Sequence, residues 1–174
     1  MTNILVLYST VDGQTRRICE AMIAEFSAAE VQLVAIEQAT EQQLQWADKV
    51  LVGASIRYGK FRPALFQFIQ RFNVLLDAKP NGFFCVNAVA RKPNKNTPET
   101  NSYMQKFLQQ SLWQPKQLAV FGGRIDYQQI GLVDRTMIRF IMWMTKGPTD
   151  MTQVHEFTDW QRVREFAASF AQEA

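Results

Sequence analysis

The feature that most narrows the folds open to this chain is its opening: Asn3-Ile4-Leu5-Val6-Leu7-Tyr8 is an unbroken apolar run that stops at Ser9-Thr10 and gives way, from Gly13, to a helical pattern. A strand with no polar alternation suits a place buried on both faces, which is where parallel strands lie. Ile18, Ala21, Met22 and Phe26 then recur at three- and four-residue spacing, one face of a helix ending between Ser27 and Glu30. The unit repeats. Further strands are predicted at Val31 to Ile36, at Lys49 to Gly53 ending in a glycine turn, at Gly82 to Asn87 and at Gln117 to Phe121. Helices are predicted from Pro63 to Leu76, Thr100 to Leu112 and Asp159 to Gln172, with polar connections around Glu41 to Asp48 and from Arg91 to Pro98. Alternation of this kind predicts an α/β fold: a five-stranded parallel sheet with helices on both faces, three layers in all, binding its ligand beyond the carboxyl ends of the strands.

The 174 residues, without repeats or low-complexity tracts, are expected to form one domain (1–174) large enough to need no covalent staple. Cys19 and Cys85 stand far apart with no Cys-x-x-Cys spacing, so neither a redox dithiol nor a disulfide framework is expected, and a reducing cytosolic setting is the default. His155 is the single histidine; without a partner it reads as a strand or turn residue, and a His- or Cys-based metal site is not expected. The start of the chain has no cationic n-region or cleavage site, and no stretch reaches the roughly 18 uncharged apolar residues of a bilayer span. A formal charge of +3 favours anionic partners mildly; no nucleic-acid-binding module or basic stripe is present, so no nucleic acid partner is expected.

The chemistry-bearing candidate is Ser9-Thr10-Val11-Asp12-Gly13-Gln14-Thr15, between the first strand and the first helix. Unpaired N–H groups and the helix dipole favour an anion there, and hydroxyls and amides complete a cage. Neither a Gly-x-x-x-x-Gly-Lys loop nor a Gly-x-Gly-x-x-Gly fingerprint occurs, so a monophosphate fits better than a triphosphate or a dinucleotide. The same Ser, Thr and Asp also suit plain helix capping, which needs no ligand.

In that loop the sequence resembles the flavodoxin-like family, whose members bind the FMN phosphate in a Ser/Thr-rich loop after the first strand. The resemblance places the flavin ring against two more loops, Ala54-Ser55-Ile56-Arg57-Tyr58-Gly59 and Asn87-Ala88-Val89-Ala90-Arg91-Lys92. It implies cofactor contacts from Ser9, Thr10, Asp12, Gly13, Gln14, Thr15, Ser55, Ile56, Arg57, Tyr58, Asn87, Ala88, Val89, Ala90 and Arg91, with Tyr58 stacking on the ring. Backbone groups near Ser55 and Asn87 would meet the ring's polar edge and tune its potential. A closer resemblance covers nearly the whole chain. Tyr8-Ser9-Thr10 with Asp12-Gly13-Gln14-Thr15, Gly53 to Gly59, Val89 to Pro93 with Thr97-Pro98 and Thr100 to Tyr103, Asp134-Arg135 with Met137-Ile138 and Ile141-Met142, Thr149-Asp150 and Thr158-Asp159-Trp160 are similar to the bacterial quinone-linked protoporphyrinogen IX dehydrogenases. That resemblance implies FMN-dependent oxidation of protoporphyrinogen IX in haem biosynthesis, with menaquinone or ubiquinone as acceptor, at the cytoplasmic face of the bacterial inner membrane. Departures fall in Arg124 to Gly131, where Asp126, Gln128, Gln129 and Gly131 replace more basic or aromatic residues. The other readings are an electron-transfer flavodoxin and an NAD(P)H-quinone reductase.

One segment exceeds what an electron carrier needs. An amphipathic insert at about 124–150 contains a helix over Ile130 to Lys146, crowded with Leu132, Val133, Met137, Ile138, Phe140, Ile141, Met142, Trp143 and Met144 beside Asp134, Arg135 and Arg139. Such spacing is compatible with a packed core helix and with a helix lying at a lipid interface. Arg124, Tyr127, Arg135, Arg139 and Trp143 are the candidates for contact with substrate or membrane, and Arg57, Arg91 and Lys92 are further cations available to substrate propionates.

Overall fold

The computed structural model describes residues 1–172. Its central sheet is built from β1 (Thr2–Ser9), β2 (Ala29–Ala35), β3 (Lys49–Arg57), β5 (Asn81–Asn87) and β6 (Gln117–Gly122), all parallel in the order β2-β1-β3-β5-β6, with the two-residue β4 (Lys60–Phe61) antiparallel to β3. The helices are α1 (Gln14–Ile23), α2 (Glu41–Trp46), α3 (Pro63–Asp77), α4 (Ser102–Gln110), α5 (Leu132–Met144) and α6 (Trp160–Gln172).

The period-2 geometry of the strands divides the core in two. Leu5, Leu7, Val50, Val52 and Phe83 point to a cluster shared with Leu44, Leu65, Ile69, Phe72 and Phe107 of α2, α3 and α4. Their neighbours Ile4, Val6, Leu51 and Phe84 point the other way, onto Ile18 and Met22 of α1 and Val163, Ala167 and Phe170 of α6. Each fully buried Leu, Ile or Phe contributes about 1.5–3 kcal/mol by leaving water, so a one-residue slip of any central strand would exchange both cores at once.

Three local expectations are corrected. Gly53 is not a turn but lies inside β3, opposite Tyr8 and Phe84; a Cβ there would sit 2.2 Å from the Phe84 ring, so the glycine admits an aromatic from the adjoining strand. Residues 54–59 are therefore not a loop: β3 runs on to Arg57, and Tyr58-Gly59 form a two-residue hairpin with φ of 50° and 74°, the paired positive φ of a type I′ turn. The polar stretch before β3 holds α2, started by a capping box in which the Thr40 hydroxyl accepts from the Gln43 N–H and the Gln43 side chain accepts from the Thr40 N–H. The segment after β5 winds into short 3₁₀ turns at Ala88–Arg91 and Pro93–Lys95.

Beyond β6 the chain forms a second, two-stranded antiparallel sheet, β7 (Arg124–Asp126) with β8 (Val154–Glu156), which includes His155. It frames α5 over a third apolar cluster of Ile125, Tyr127, Ile130 and Met142. Of α5's own residues only Met142 is buried, so the insert helix is not a core helix.

Candidate functional site

After β1 the chain turns to β2 on one side of the sheet and later to β3 on the other, which makes the β1/β3 boundary the switch point where doubly wound sheets open a crevice. A cleft of about 1030 Å³, partly open to solvent, lies there. Its floor is the loop after β1, its sides are the ends of β3 and β5, and its roof is the inner face of α5, through Ile138, Ile141, Met142 and Thr145.

The floor is built to receive an anion. Gly13 takes φ 88° at the N-cap of α1, a conformation favourable only for glycine, and offers no side chain to cap the helix. The first-turn N–H groups thus face the cleft without a side-chain acceptor, at the positive end of the helix dipole. Thr10 Oγ1 accepts from the Gly13 N–H at 2.9 Å and shapes the turn. Ser9 Oγ and Thr15 Oγ1 are buried and have no hydrogen-bond partner among the described residues. Two orphaned hydroxyls beside an uncapped helix are costly unless something accepts from them. Plain capping would have satisfied the α1 terminus internally; this loop leaves it unsatisfied. The donor set fits the terminal phosphate of a flavin mononucleotide-sized ligand, whose oxygens accept from hydroxyl and N–H groups.

The walls distribute charge in pairs. Arg57 meets the Asp12 carboxylate through one guanidinium nitrogen and Asp134 of α5 through the other, at 3.6 Å. Tyr58 donates its phenol to Asp134, and the Arg57 guanidinium lies 5.4 Å from the Tyr58 ring centroid. Burial, and after it the Asp134 carboxylate, pushes the Tyr58 phenol above its ordinary value, so it remains a donor. A tyrosine at positive φ costs of order 1–3 kcal/mol, and the strain holds this ring at the mouth of the cleft, 42% exposed. On the far wall Arg91 donates to the Ala88 carbonyl at 2.8 Å and to the carbonyl and hydroxyl of Thr145 at 2.9 and 3.0 Å; burial lowers its pKa.

Of the residues expected at the cofactor, Thr10, Asp12, Gln14, Thr15, Ser55, Ile56, Arg57, Tyr58, Asn87, Ala88, Val89 and Arg91 line the cleft. Ser9 and Gly13 support the floor from behind. Ala90 is buried, its N–H held by the Asn87 side chain at 2.9 Å, so Asn87 braces the turn with its amide. Among the expected substrate or membrane contacts, Arg124 lines the cleft but is paired with Asp126 at 3.2 Å. Tyr127, in contrast, is fully buried under α5 and donates to the Pro148 carbonyl at 3.0 Å, which leaves it no exposed surface. Arg135 turns back on the chain, donating to the Gln128 and Ile130 carbonyls at 3.5 and 3.3 Å. Arg139 and Trp143 are exposed. The reading missed Tyr103, Gly123 and the inward residues of α5 as cleft walls. The signal for α5 was present in Asp134, Ile138, Ile141 and Thr145, which recur at helical spacing.

Residues 5–152 match the flavodoxin domain family. Protoporphyrinogen IX dehydrogenase (quinone) of Escherichia coli K12 is 41% identical over 169 residues, covering 96% of this chain and 93% of the relative. The chain belongs to this family. A Leishmania major protein of the same name is 42% identical over 170 residues, covering 96% of this chain and 74% of the relative. Solved flavodoxins share the fold at low identity: an archaeal flavodoxin at TM-score 0.55 and 15% identity, covering 98% of this chain and 97% of that one, and oxidised flavodoxin 2 of Bacillus cereus at 0.59 and 15%, covering 98% and 99%. Family and fold imply flavin binding, and the crevice at the β1/β3 boundary is where the sheet topology puts it.

Proposed function

We propose that this chain is an FMN-dependent protoporphyrinogen IX dehydrogenase that passes electrons to menaquinone or ubiquinone in haem biosynthesis, working against the cytoplasmic face of the inner membrane. The observation that carries the reading is 41% identity over 96% of the chain to a protoporphyrinogen IX dehydrogenase (quinone), in a chain whose β1/β3 crevice holds two partnerless buried hydroxyls at an uncapped helix. FMN, when bound, supplies hydride acceptance and redox exchange with quinone. The protein's part is positional. Thr15 and the start of α1 would hold the phosphate, on a floor that Ser9 underlies; Tyr58 and the apolar ends of β3 and β5 would flank the ring; α5 would roof the cleft and limit water access.

Helix α5 supports the membrane assignment. Ile138, Ile141, Met142 and Thr145 face the cleft, whereas Leu132, Val133, Met137, Phe140, Trp143 and Met144 are each between 48% and 78% exposed. No helix among the described residues is long and apolar enough to cross a membrane. A short helix with an outward aromatic and aliphatic face, carrying Arg139 and followed by Lys146, suits the headgroup boundary instead.

The test is anaerobic oxidation of protoporphyrinogen IX by FMN-loaded protein with menaquinone or ubiquinone, followed by porphyrin fluorescence, with and without anionic vesicles. Quinone-dependent fluorescence growth is expected, faster with vesicles. FMN-loaded protein that oxidises no protoporphyrinogen with either quinone would overturn the reading in favour of an electron carrier.

A further inference from the structure

A second groove adjoins the flavin cleft across the β3–β4 hairpin. It spans about 620 Å³, open to solvent on one side, and shares Ile56, Gly59 and Tyr103 with the cleft as a common wall. Its floor is aromatic: Phe61, Phe66 and Phe107 form a triangle with ring centroids 5.7 to 6.4 Å apart. Lys60, from β4, and Lys106, from α4, stand at its lining, both exposed. Among the described residues neither lysine's ammonium group makes a hydrogen bond or an ion pair.

That freedom sets them apart from the cations of the cleft. Arg57 is held between Asp12 and Asp134, and Arg124 by Asp126. Arg91 donates to Ala88 and Thr145, and Arg135 to two backbone carbonyls. A substrate bringing two carboxylates finds these groups already engaged, and displacing their partners would leave Asp12, Asp134 or Asp126 uncompensated.

Resting on the proposed activity, we infer that the Lys60/Lys106 groove is the carboxylate subsite of the enzyme: it seats the propionate edge of the porphyrinogen, while the rest of the macrocycle reaches over Gly59 and Tyr103 toward the flavin. The chemistry matches on three counts. Protoporphyrinogen carries two neighbouring propionates, and the groove offers two unpaired ammonium groups. The pyrrole faces are apolar and aromatic, as the Phe61-Phe66-Phe107 floor is. Ile56, Gly59 and Tyr103 border both cavities, so the groove adjoins the cleft, with Gly59 adding no side chain between them. Lysine suits an open site of this kind, where a flexible point charge follows a mobile propionate.

The deciding experiment compares wild type with Lys60→Gln/Lys106→Gln, both loaded with FMN, using protoporphyrinogen and its propionate dimethyl ester as alternative substrates. The double variant is expected to raise the KM for the diacid about tenfold, as for two charge-assisted contacts in a partly screened site. Its kcat, quinone KM and FMN content should stay within about twofold of wild type, and Lys60→Arg/Lys106→Arg should restore the diacid KM. With the diester the two proteins should be indistinguishable. A parallel fluorescence titration with protoporphyrin and its dimethyl ester reads the subsite without turnover, and wild type should prefer the diacid about tenfold. Wild type that turns over, yet shows the same diacid KM and the same diacid preference after both lysines are removed, would overturn the subsite and leave the activity standing. Wild type that fails to turn over but binds the diacid through these lysines would overturn the activity and leave the subsite. A raised quinone KM with an unchanged diacid KM would overturn it by assigning the groove to the quinone.

Discussion

Thr15→Val should move stability and cofactor affinity in opposite directions. The substitution keeps the branched shape and deletes one hydroxyl. Thr15 is fully buried, and its Oγ1 has no acceptor or donor among the described residues. In the FMN-free protein that hydroxyl has left water without compensation, a penalty of about 1–3 kcal/mol. Valine removes the penalty, so the FMN-free variant should be more stable by about that amount, or about 2–4 °C in Tm for each kcal/mol in a chain of this size. In the proposed FMN complex the same hydroxyl would donate to a charged phosphate oxygen, a bond contributing about 1.5–3 kcal/mol. Its loss should weaken FMN about ten- to hundredfold, at about 1.4 kcal/mol per decade. Urea unfolding of FMN-free protein, with an unchanged m-value, measures the first effect, and quenching of flavin fluorescence on binding measures the second. A variant that is less stable without FMN, or that binds FMN as tightly as wild type, refutes the assignment of Thr15 to the phosphate.

Asp134→Ala releases the N-terminal half of α5 from Arg57 and Tyr58; global stability should change by less than about 1 kcal/mol because Asp134 is half-exposed and its ion pair is long, at 3.6 Å, whereas amide exchange over residues 132–137 should accelerate about tenfold by mass spectrometry. Gly53→Ala puts a methyl against the Phe84 ring and should lower unfolding stability by about 1–3 kcal/mol in urea melts, through overpacking between β3 and β5. Burial pushes the Cys85 thiol up from 9.0 to about 12 and the Cys19 thiol higher still. Both should resist iodoacetamide in native protein at pH 8 and react once it is unfolded. Because the folded pKa values are raised, the thiols' contribution is fully present below pH 9, where the unfolded thiols are protonated, and is lost as pH rises through about 12; urea midpoints should fall across that interval.

What was legible in the sequence was what hydrophobic periodicity encodes. Ile4 to Leu7 reads as a doubly buried strand because both of its faces meet helices, and the α1, α3 and α6 stripes declare their inward faces in the same way. Gly53 misled because a glycine at the end of an apolar run signals a turn as readily as a close approach; only the partner strand, which brings Phe84 opposite, distinguishes them. Missing α2 has another cause: six residues with one buried side chain carry little periodicity, and its evidence lay in the Thr40-x-x-Gln43 cap. Tyr127 looked like a contact residue because its partner, the Pro148 carbonyl, is 21 positions away in sequence. Long-range polar pairing leaves no local trace, and the Arg57-Asp12-Asp134-Tyr58 set was invisible for the same reason.

Helix α5 shows how one periodicity serves two faces. Successive fourth and third residues from Asp134 through Ile138 and Ile141 to Thr145 form a stripe polar at each end and apolar in the middle. Those ends are the tethers, to Arg57 and Tyr58 on one wall and to Arg91 on the other. The stripe from Val133 through Met137 and Phe140 to Met144 is apolar throughout and exposed. A core helix would have buried both stripes, and a helix held only by lipid would not need polar ties at its inner ends. The division fits the proposed membrane contact: a roof fixed to the protein by polar contacts on the cleft side and left apolar on the other, across which a membrane-borne substrate or quinone would meet the flavin cleft.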